Sequence, residues 1–169
     1  MPAVRIPRLR STRALWVTSA ITNIAAPTVA NLAPGAGIKD ISLDLHKDTD
    51  VGMDKSDSVD DMGVNDTAKI KAETFRSYHG TAVFFRRFDS ATFAPDTTDC
   101  TNLIAEGELG VFARRDAMPY DTAVAASQKW SLFEFRSTVW IFEQKDGYYT
   151  ASIELFPTGR YANVATVSA

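Results

Sequence analysis

Two strand-like runs joined by a short turn occupy residues 128–157. Residues 128–143 are rich in aromatic and β-branched side chains, residues 145–147 (Lys-Asp-Gly) are a typical turn sequence, and residues 147–157 form the second run. In the second run polar and apolar residues alternate with the period of two that is typical of a half-buried strand. One face carries Tyr149, Ala151, Ile153 and Leu155, and the other carries Tyr148, Thr150, Ser152 and Glu154. The sequence therefore predicts a long β-hairpin.

The first run of this hairpin is apolar on both of its faces. A strand that is apolar on both sides lies inside a sandwich or barrel, or meets a second chain. One face carries Phe133, Phe135, Val139 and Ile141, and the other carries Trp130, Leu132, Trp140 and Phe142.

Length and charge limit the classes of protein that fit. A chain of 169 residues with 45% hydrophobic residues suits one globular domain, or one domain with arms. The net charge of -3 gives no reason to expect affinity for nucleic acid or for an anionic membrane. A single cysteine, Cys100, excludes an intrachain disulfide.

The N-terminal region superficially resembles a secretory signal, because a basic segment precedes the apolar residues 14–30. Polar residues (Thr18, Ser19, Thr22 and Asn23) interrupt the apolar part before any small-residue cleavage site. No run approaches the ~20 apolar residues of a membrane span. We therefore expect a soluble protein that is made in a cytoplasm.

The remaining pattern predicts a mostly β fold. Strands are expected in residues 14–23, 38–46, 67–75, 80–88 and 108–115, and one short helix from residue 96 or 97 to about residue 105. With the hairpin, this makes about seven strands and one flanking helix, which indicates a β-sandwich or barrel. The expected organisation is a basic arm over residues 1–13, a β domain over 14–157 and a second arm over 158–169.

Residues 47–66 are unusually acidic, with seven aspartates and only two lysines. A segment of this length with almost no large apolar side chains is generally either disordered or a functional loop. If residues 67–75 pair with residues 38–46, it becomes the tip of a long hairpin. The spacing does not fit an EF-hand, because Gly52, Met53 and Val59 occupy positions that need a ligand, a glycine and a glutamate. A looser ion site, a solvated loop and an acidic contact surface remain open.

Catalysis has little support in the sequence. The two histidines, His46 and His79, have no metal-ligand spacing, and no nucleophile elbow or phosphate-binding loop occurs. His79 could pair with Ser77 or Asp89 in a nucleophilic site, but an ordinary residue at the start of a strand is the favoured interpretation. We expect no enzyme activity, no catalytic residues, no cofactor and no metal.

The opening of the chain resembles a known family. Residues 15–32 read LWVTSAITNIAAPTVANL and are followed by a Gly-Ala-Gly turn and Ile38. This order of a Trp-Val strand, an Ala-Ala-Pro-Thr-Val-Ala segment and a glycine turn resembles the major tail tube proteins of long-tailed, siphovirus-type bacteriophages, especially those that infect actinobacteria. Beyond the first quarter of the chain the resemblance is one of layout.

The resemblance implies a structural virion protein in the phage tail, assembled in the host cytoplasm. Six copies would form a ring, and stacked rings would make a channel for genome delivery. The implied partners are further copies of the chain and the tape measure, tail terminator and tail tip proteins. DNA would only pass through the lumen, without specific binding, and no membrane would be bound.

Two site hypotheses follow from this resemblance. Residues 47–66 would reach a neighbouring ring and meet the basic arm, and the polar stripe of the second hairpin strand would line the channel. The inter-ring residues would be Asp48, Asp50, Asp54, Asp57, Asp60, Asp61, Arg5, Arg8, Arg10 and Arg13, and the channel residues Thr150, Ser152 and Glu154.

Three alternatives stay open. A tail terminator or a head decoration protein would have a similar fold but stop at one ring or sit on a lattice. A small-ligand-binding barrel would need a roomy apolar interior, and it would not need two arms and a charged loop. A hydrolase would need motifs that the sequence lacks.

Overall fold

The computed structural model describes residues 11–54, 57–61, 70–75 and 77–169. The chain is mostly β, as the sequence predicts. Its elements in order are β1 (Arg13–Val17), α1 (Val29–Leu32), β2 (Ile38–Asp40), β3 (Asp50–Met53), β4 (Asp57–Asp61), β5 (Ile70–Phe75), β6 (Tyr78–Phe85), α2 (Cys100–Leu103), β7 (Leu109–Arg115), β8 (Lys129–Lys145) and β9 (Tyr148–Thr166).

Seven of these strands form one antiparallel sheet in the order β2-β1-β7-β8-β9-β6-β3, and β4 pairs with β5 separately. The chain passes directly from β2 at one edge to β3 at the other. Along this connection the Ile41 amide donates to Ala14 O of β1 (3.0 Å), and the His46 amide donates to Val83 O of β6 (2.8 Å). The two edges of the sheet therefore approach each other, which gives the curled arrangement of a β-sandwich.

Both faces of the sheet are covered, because β1 alternates between two hydrophobic cores. Trp16 packs in a core with Phe84, Phe112 and Phe135, and Leu15 packs in a second core with other residues. The second core contains Val17, Leu32, Trp130, Leu132, Ala162, Ala165 and Val167 among others. The prediction of a strand covered on both sides is confirmed for the first half of β8.

The predicted hairpin is confirmed as β8 and β9. Its turn has Asp146 at φ 53° and Gly147 at φ 80°, as a two-residue hairpin turn of the primed type requires. The predicted faces of β8 hold only as far as its irregular pairing between Ser137 and Trp140. Past this irregularity Trp140 packs with the core that contains Phe133, not with the face of Trp130.

The last strand continues to Thr166, through most of the segment that the sequence predicts to be an arm. The small side chains of Ala162 and Ala165 pack against Trp130 in the second core. This segment is therefore partly buried although it has few large apolar side chains of its own. The Ser168 amide then donates to Pro27 O (2.8 Å).

Several boundaries differ from the predicted ones. β2 stops at Asp40, because its carboxylate accepts from the Ser42 amide (3.0 Å) and turns the chain. The helix near residue 96 is one turn long and starts after Asp99, whose side chain caps it. α1 is a short helix in addition to the one that the sequence predicts. The acidic residues 47–66 include β3 and β4, and β5 pairs with β4 instead of with residues 38–46.

Candidate functional site

The far half of the β8–β9 hairpin leaves an uncovered apolar surface. β7 pairs with β8 only through residues 131–136, and within the described part no other strand continues along that edge past residue 136. Contiguous exposed apolar side chains on a soluble chain commonly mark an interaction surface. We call residues 139–149 the distal hairpin; its large exposed side chains are Val139, Ile141, Phe142, Tyr148 and Tyr149.

Exposed apolar side chains lie on both faces of the distal hairpin. The pairing register places Ile141 opposite Ser152 on one face and Phe142 opposite Ala151 on the other. Ile141 is 54% exposed and Phe142 is 60% exposed. A second protein surface could therefore cover either side of the hairpin.

Specific contacts hold the hairpin at a fixed angle to the domain. Trp140 Nε1 donates to Ile104 O (3.1 Å), and the Trp140 ring meets Phe84 edge to face. The Arg86 guanidinium lies 4.7 Å from the centre of the Phe142 ring. Arg86 is itself held by the buried Asp99, with Nε at 3.0 Å from Oδ2. The distal hairpin is thus a supported projection of the domain.

The turn of the hairpin contacts the start of the acidic segment. Lys47 Nζ lies 2.7 Å from Asp146 Oδ2, and Lys145 Nζ lies 3.7 Å from Asp48 Oδ2. The buried His46 lies between the same two aspartates, with Nε2 at 3.7 Å from Asp146. Asp48, a predicted inter-ring residue, therefore has partners within its own chain.

Asp50 and Asp54, also predicted to face a neighbouring ring, flank His79 at the β3–β6 edge. His79 Nδ1 contacts Asp54 Oδ1, and Nε2 lies 3.2 Å from Asp50 Oδ1 in an ion-pair contact. The Asp50 and Asp54 carboxylates raise the pKa of His79. Ser77 donates to Asp54 Oδ2 (2.6 Å), and this bond, followed by the contact with His79, lowers the pKa of Asp54.

This cluster does not have the arrangement of a nucleophilic triad. Such a site needs a histidine nitrogen free to accept the serine proton, whereas both nitrogens of His79 face carboxylates. Ser77 is bonded to the carboxylate and not to the imidazole. Asp89, the other predicted partner, accepts from the Ala91 and Thr92 amides in its own turn.

The remaining inter-ring residues fall into three groups. Arg13 is buried in β1, where it lies 3.0 Å from Asp40 Oδ2 and donates to Thr122 O (2.9 Å), so its charge is used inside the domain. Asp57, Asp60 and Asp61 lie on β4, which pairs with β5. Arg5, Arg8 and Arg10 lie outside the described residues. The contact between the arm and the acidic segment stays a prediction.

The predicted channel residues differ in accessibility. Thr150 is only 1% exposed, and its hydroxyl donates to Glu143 O (3.2 Å). Ser152 is partly exposed and Glu154 is exposed. The assignment of these residues to the channel wall stays a prediction. Of the three, Ser152 and Glu154 are accessible enough to line a channel.

Within the described residues, no group of three or more histidine, cysteine or acidic side chains is placed to hold a metal ion. No described helix has the length and the apolar character needed to cross a lipid bilayer. Cys100 is buried beside Asp99, and burial raises the pKa of its thiol to about 12.

Sequence reasoning found the apolar hairpin but not the residues that support it. Arg86 and Asp99 are 13 residues apart, on a strand end and before a helix, and no spacing rule connects them. A charged residue that directly follows an apolar strand, as Arg86 follows Phe85, was the available signal.

The antiparallel β-sandwich and its uncovered hairpin together indicate a β-rich structural subunit. The family model described as Phage tail tube protein matches residues 1–169, and the chain belongs to that family. It is therefore a structural protein of the phage tail tube, with a place in the virion tail. No curated protein matches the chain.

Proposed function

We propose that this chain is the major tail tube subunit of a long-tailed bacteriophage. Six copies form a ring, rings stack into a tube, and the genome passes through the tube into the host cell. The distal hairpin carries this proposal, since its exposed apolar side chains and the edge of β8 past residue 136, along which no described strand pairs, leave the single chain incomplete.

Ring closure follows from the open edge of β8. An unpaired edge presents backbone donors and acceptors that a strand from another copy satisfies, and closure into a ring removes such edges altogether. The distal hairpin of one subunit adds to the sheet of the next and covers Val139 and Ile141. Burying one such half-exposed side chain contributes roughly 1 kcal/mol, and the contact is repeated at each subunit boundary.

Ring stacking is head-to-tail, an interface that propagates without closing on itself. The β4–β5 hairpin carries Asp57, Asp60 and Asp61 on its first strand, and the arm before β1 carries Arg5 and Arg8. We assign the contact between rings to these two segments. Each exposed pair is worth under ~1 kcal/mol, so the contact depends on repetition around the ring.

The channel wall includes Ser152 and Glu154. These side chains share a face of the sheet with Ile141, so the hairpin that closes the ring also presents a polar stripe. A wall with acidic groups repels the phosphate backbone, so DNA slides and is not held. The tape measure, tail terminator and tail tip proteins are the expected partners at the inside and the two ends of the tube.

Negative-stain electron microscopy of the purified protein at high concentration tests the proposal. We expect tubes of stacked rings, and the ring symmetry can be counted in end views. Single rings that never stack would favour a tail terminator, and particles that stay single at every concentration would refute the assignment.

A matched pair of variants connects the result to the distal hairpin. Ile141→Asp places a charge in the contact that closes the ring, and Ile141→Met keeps an apolar side chain there. We expect tubes from the second variant but not from the first, with both subunits folded. Tubes from Ile141→Asp would show that another surface closes the ring.

A further inference from the structure

A tightly bonded loop after β6 holds the side chain of Phe93 out in solvent. We call residues 88–95 the Phe93 loop. Phe93 is 79% exposed, and its φ of 53° lies in the left-handed region, where a bulky residue is an outlier. Its amide donates to Asp89 O (2.9 Å), and the Asp89 carboxylate accepts from the Thr92 amide (2.8 Å). Strained residues that the surrounding structure fixes in this way are concentrated at functional sites.

An apolar cavity of about 340 Å³ opens beside the connection from β2 to β3. Its apolar walls are Leu43, Leu45, Phe85 and Phe112. Leu43 is 63% exposed, so the apolar lining continues out to the surface. A cavity of about 150 Å³ with similar walls can hold a benzene ring, so this one has room for a phenylalanine side chain. Residues 86–99, all of them described, do not line it, so Phe93 does not fill the cavity of its own chain.

The base of the Phe93 loop and the cavity lie on opposite faces of the distal hairpin. Tyr148 and Tyr149 are neighbours on β9, so their side chains point to opposite faces. The Tyr149 ring contacts Phe88 at the base of the loop, with 5.6 Å between the ring centres. The Tyr148 ring contacts Phe85 in the cavity wall, with 5.4 Å between the ring centres. A head-to-tail contact joins two different surfaces of the subunit, and this arrangement supplies one on each side of the hairpin.

A stable contact between copies needs more apolar surface than the edge of the hairpin supplies. Specific interfaces bury about 800 Å² on each partner, and the half-exposed Val139 and Ile141 provide only a small part of this area. One buried aromatic side chain adds about 150–250 Å². The Arg86 guanidinium lies 5.0 Å from the centre of the Phe88 ring and 4.7 Å from that of Phe142. The Phe93 loop is therefore continuous with the distal hairpin, and a copy that covers one also meets the other.

Charge does not oppose entry of the loop into a cavity of this kind. Residues 90–95 read SATFAP and carry no charge. The two cationic side chains of the lining already have carboxylate partners in their own chain: Lys47 Nζ lies 2.7 Å from Asp146, and Arg114 Nε lies 2.8 Å from Asp116. An uncharged tip can therefore cover the lining without leaving a buried charge unpaired.

We propose that Phe93 of one subunit inserts into this cavity of a neighbouring subunit and packs against Leu43 and Leu45. The neighbour is the next copy in the proposed tube, so this contact rests on the function proposed above. Because hydrogen bonds already fix the Phe93 loop in one conformation, little conformational freedom is lost when it binds.

Cysteine cross-linking between two single variants tests the contact. Ala94→Cys keeps Phe93 and places a thiol beside it, and Lys47→Cys places a thiol in the cavity lining. Mixed at high concentration under mild oxidation, the two variants should form a disulfide-linked dimer that neither forms alone. The control mixes Ala94→Cys with Val164→Cys, which is exposed on β9 but does not line the cavity, and should cross-link about tenfold less. The native Cys100 is fully buried and does not compete.

The cross-link and the tube can fail separately. Equal cross-linking in the two mixtures would overturn the contact, and so would a dimer that Ala94→Cys forms by itself. Wild-type tubes in electron micrographs without the cross-link would overturn the contact and leave the tube standing. A cross-link in a protein that forms only small oligomers would support the contact and refute the tube.

A second pair of variants, Phe93→Gly and Phe93→Leu, separates assembly from folding. Glycine adopts a positive φ without strain, so the unassembled Phe93→Gly subunit should have a denaturation midpoint at least as high as that of Phe93→Leu. Phe93→Gly should nevertheless raise the lowest protein concentration that gives assembly by about tenfold or more, because it removes the buried ring. Phe93→Leu keeps an apolar side chain and should assemble nearly as the wild type does. Assembly of Phe93→Gly at the wild-type concentration, or a lower midpoint for its subunit, would overturn the proposed role of Phe93.

Discussion

The indole of Trp16 lies directly against the backbone of Gly110: a Cβ added at Gly110 would come within 2.4 Å of ring atoms Cε2 and Cζ2. The ring cannot move aside easily, because Trp16 is fully buried and its Nε1 donates to Glu108 Oε2 (2.8 Å). The contact fixes the first strand of the chain against β7, at the centre of the larger core.

Gly110→Ala should therefore destabilise the folded subunit. A methyl group with no space forces side chains or backbone to shift, which typically costs about 1–3 kcal/mol. Gly52→Ala is the matched control, since a Cβ there meets nothing within 4 Å. Chemical denaturation of both unassembled variants measures the difference between their free energies of unfolding. Equal values would mean that the residues around Trp16 rearrange at little cost.

Asp99→Asn should unfold the connection between β6 and α2. Asp99 is fully buried and accepts from Arg86 Nε, the Arg87 amide (2.7 Å) and the Thr101 hydroxyl (2.6 Å). Removing its charge leaves the Arg86 guanidinium buried without a counter-ion, at a cost of about 3 kcal/mol. The control is Asp96→Asn, at a partly exposed position, with an expected cost below about 1 kcal/mol.

The pH dependence of stability should change in the same variant. Burial alone would raise the pKa of Asp99, but the hydrogen bonds from Thr101, Arg87 and Arg86 together hold it below the ordinary value. The stabilisation is therefore present above about pH 4 and is lost as the pH falls through the lowered pKa. Unfolding free energies measured from pH 7 to pH 3 should fall less steeply for Asp99→Asn than for the wild type.

His79 should titrate above the ordinary histidine range of about 6.5. The pKa of His79 is raised in the folded state, so protonated His79 contributes its full stabilisation below the ordinary pKa. This stabilisation is lost as the pH rises through the raised pKa. Asp50→Asn should lower the midpoint that nuclear magnetic resonance measures for His79. Asp48→Asn, whose carboxylate contacts His46 instead, should leave it unchanged.

Neutralising the aspartates of β4 should weaken tube formation without unfolding the subunit. Asp57→Asn, Asp60→Asn and Asp61→Asn together remove the charges that we assign to the contact between rings. Asp89→Asn, Asp96→Asn and Asp121→Asn change the net charge equally and are the control. Tubes counted by electron microscopy at several salt concentrations give the readout; equal tube yields from both triple variants would reject the assignment.

Ser152→Cys should react slowly in tubes and quickly in the single subunit, if it faces the channel. The reagent must be too large for the lumen, and the buried Cys100 gives little background. Equal labelling rates in both states would place Ser152 outside the channel. Val164→Cys serves as the comparison for a position on another part of β9.

The strands and the hairpin could be predicted because their apolar periodicity is local. The same reasoning failed where pairing is irregular: the pairing shift between Ser137 and Trp140 moves Trp140 to the other face, and no residue type marks it. It also missed the last part of β9. Ala162 and Ala165 are core residues because Trp130 covers them, and small side chains of this kind do not indicate a core strand in the sequence. The supporting pair of Arg86 and Asp99 depends on the folded chain and has no sequence pattern.

The second core joins two parts of the chain that are far apart in sequence. Leu15, Val17 and Leu32 are covered by Ala162, Ala165 and Val167, more than a hundred residues later. Contacts of such high sequence separation slow folding, because a long loop has to close first. During synthesis these early apolar side chains stay exposed until the last strand has left the ribosome, so the subunit is vulnerable to aggregation before it is ready to assemble.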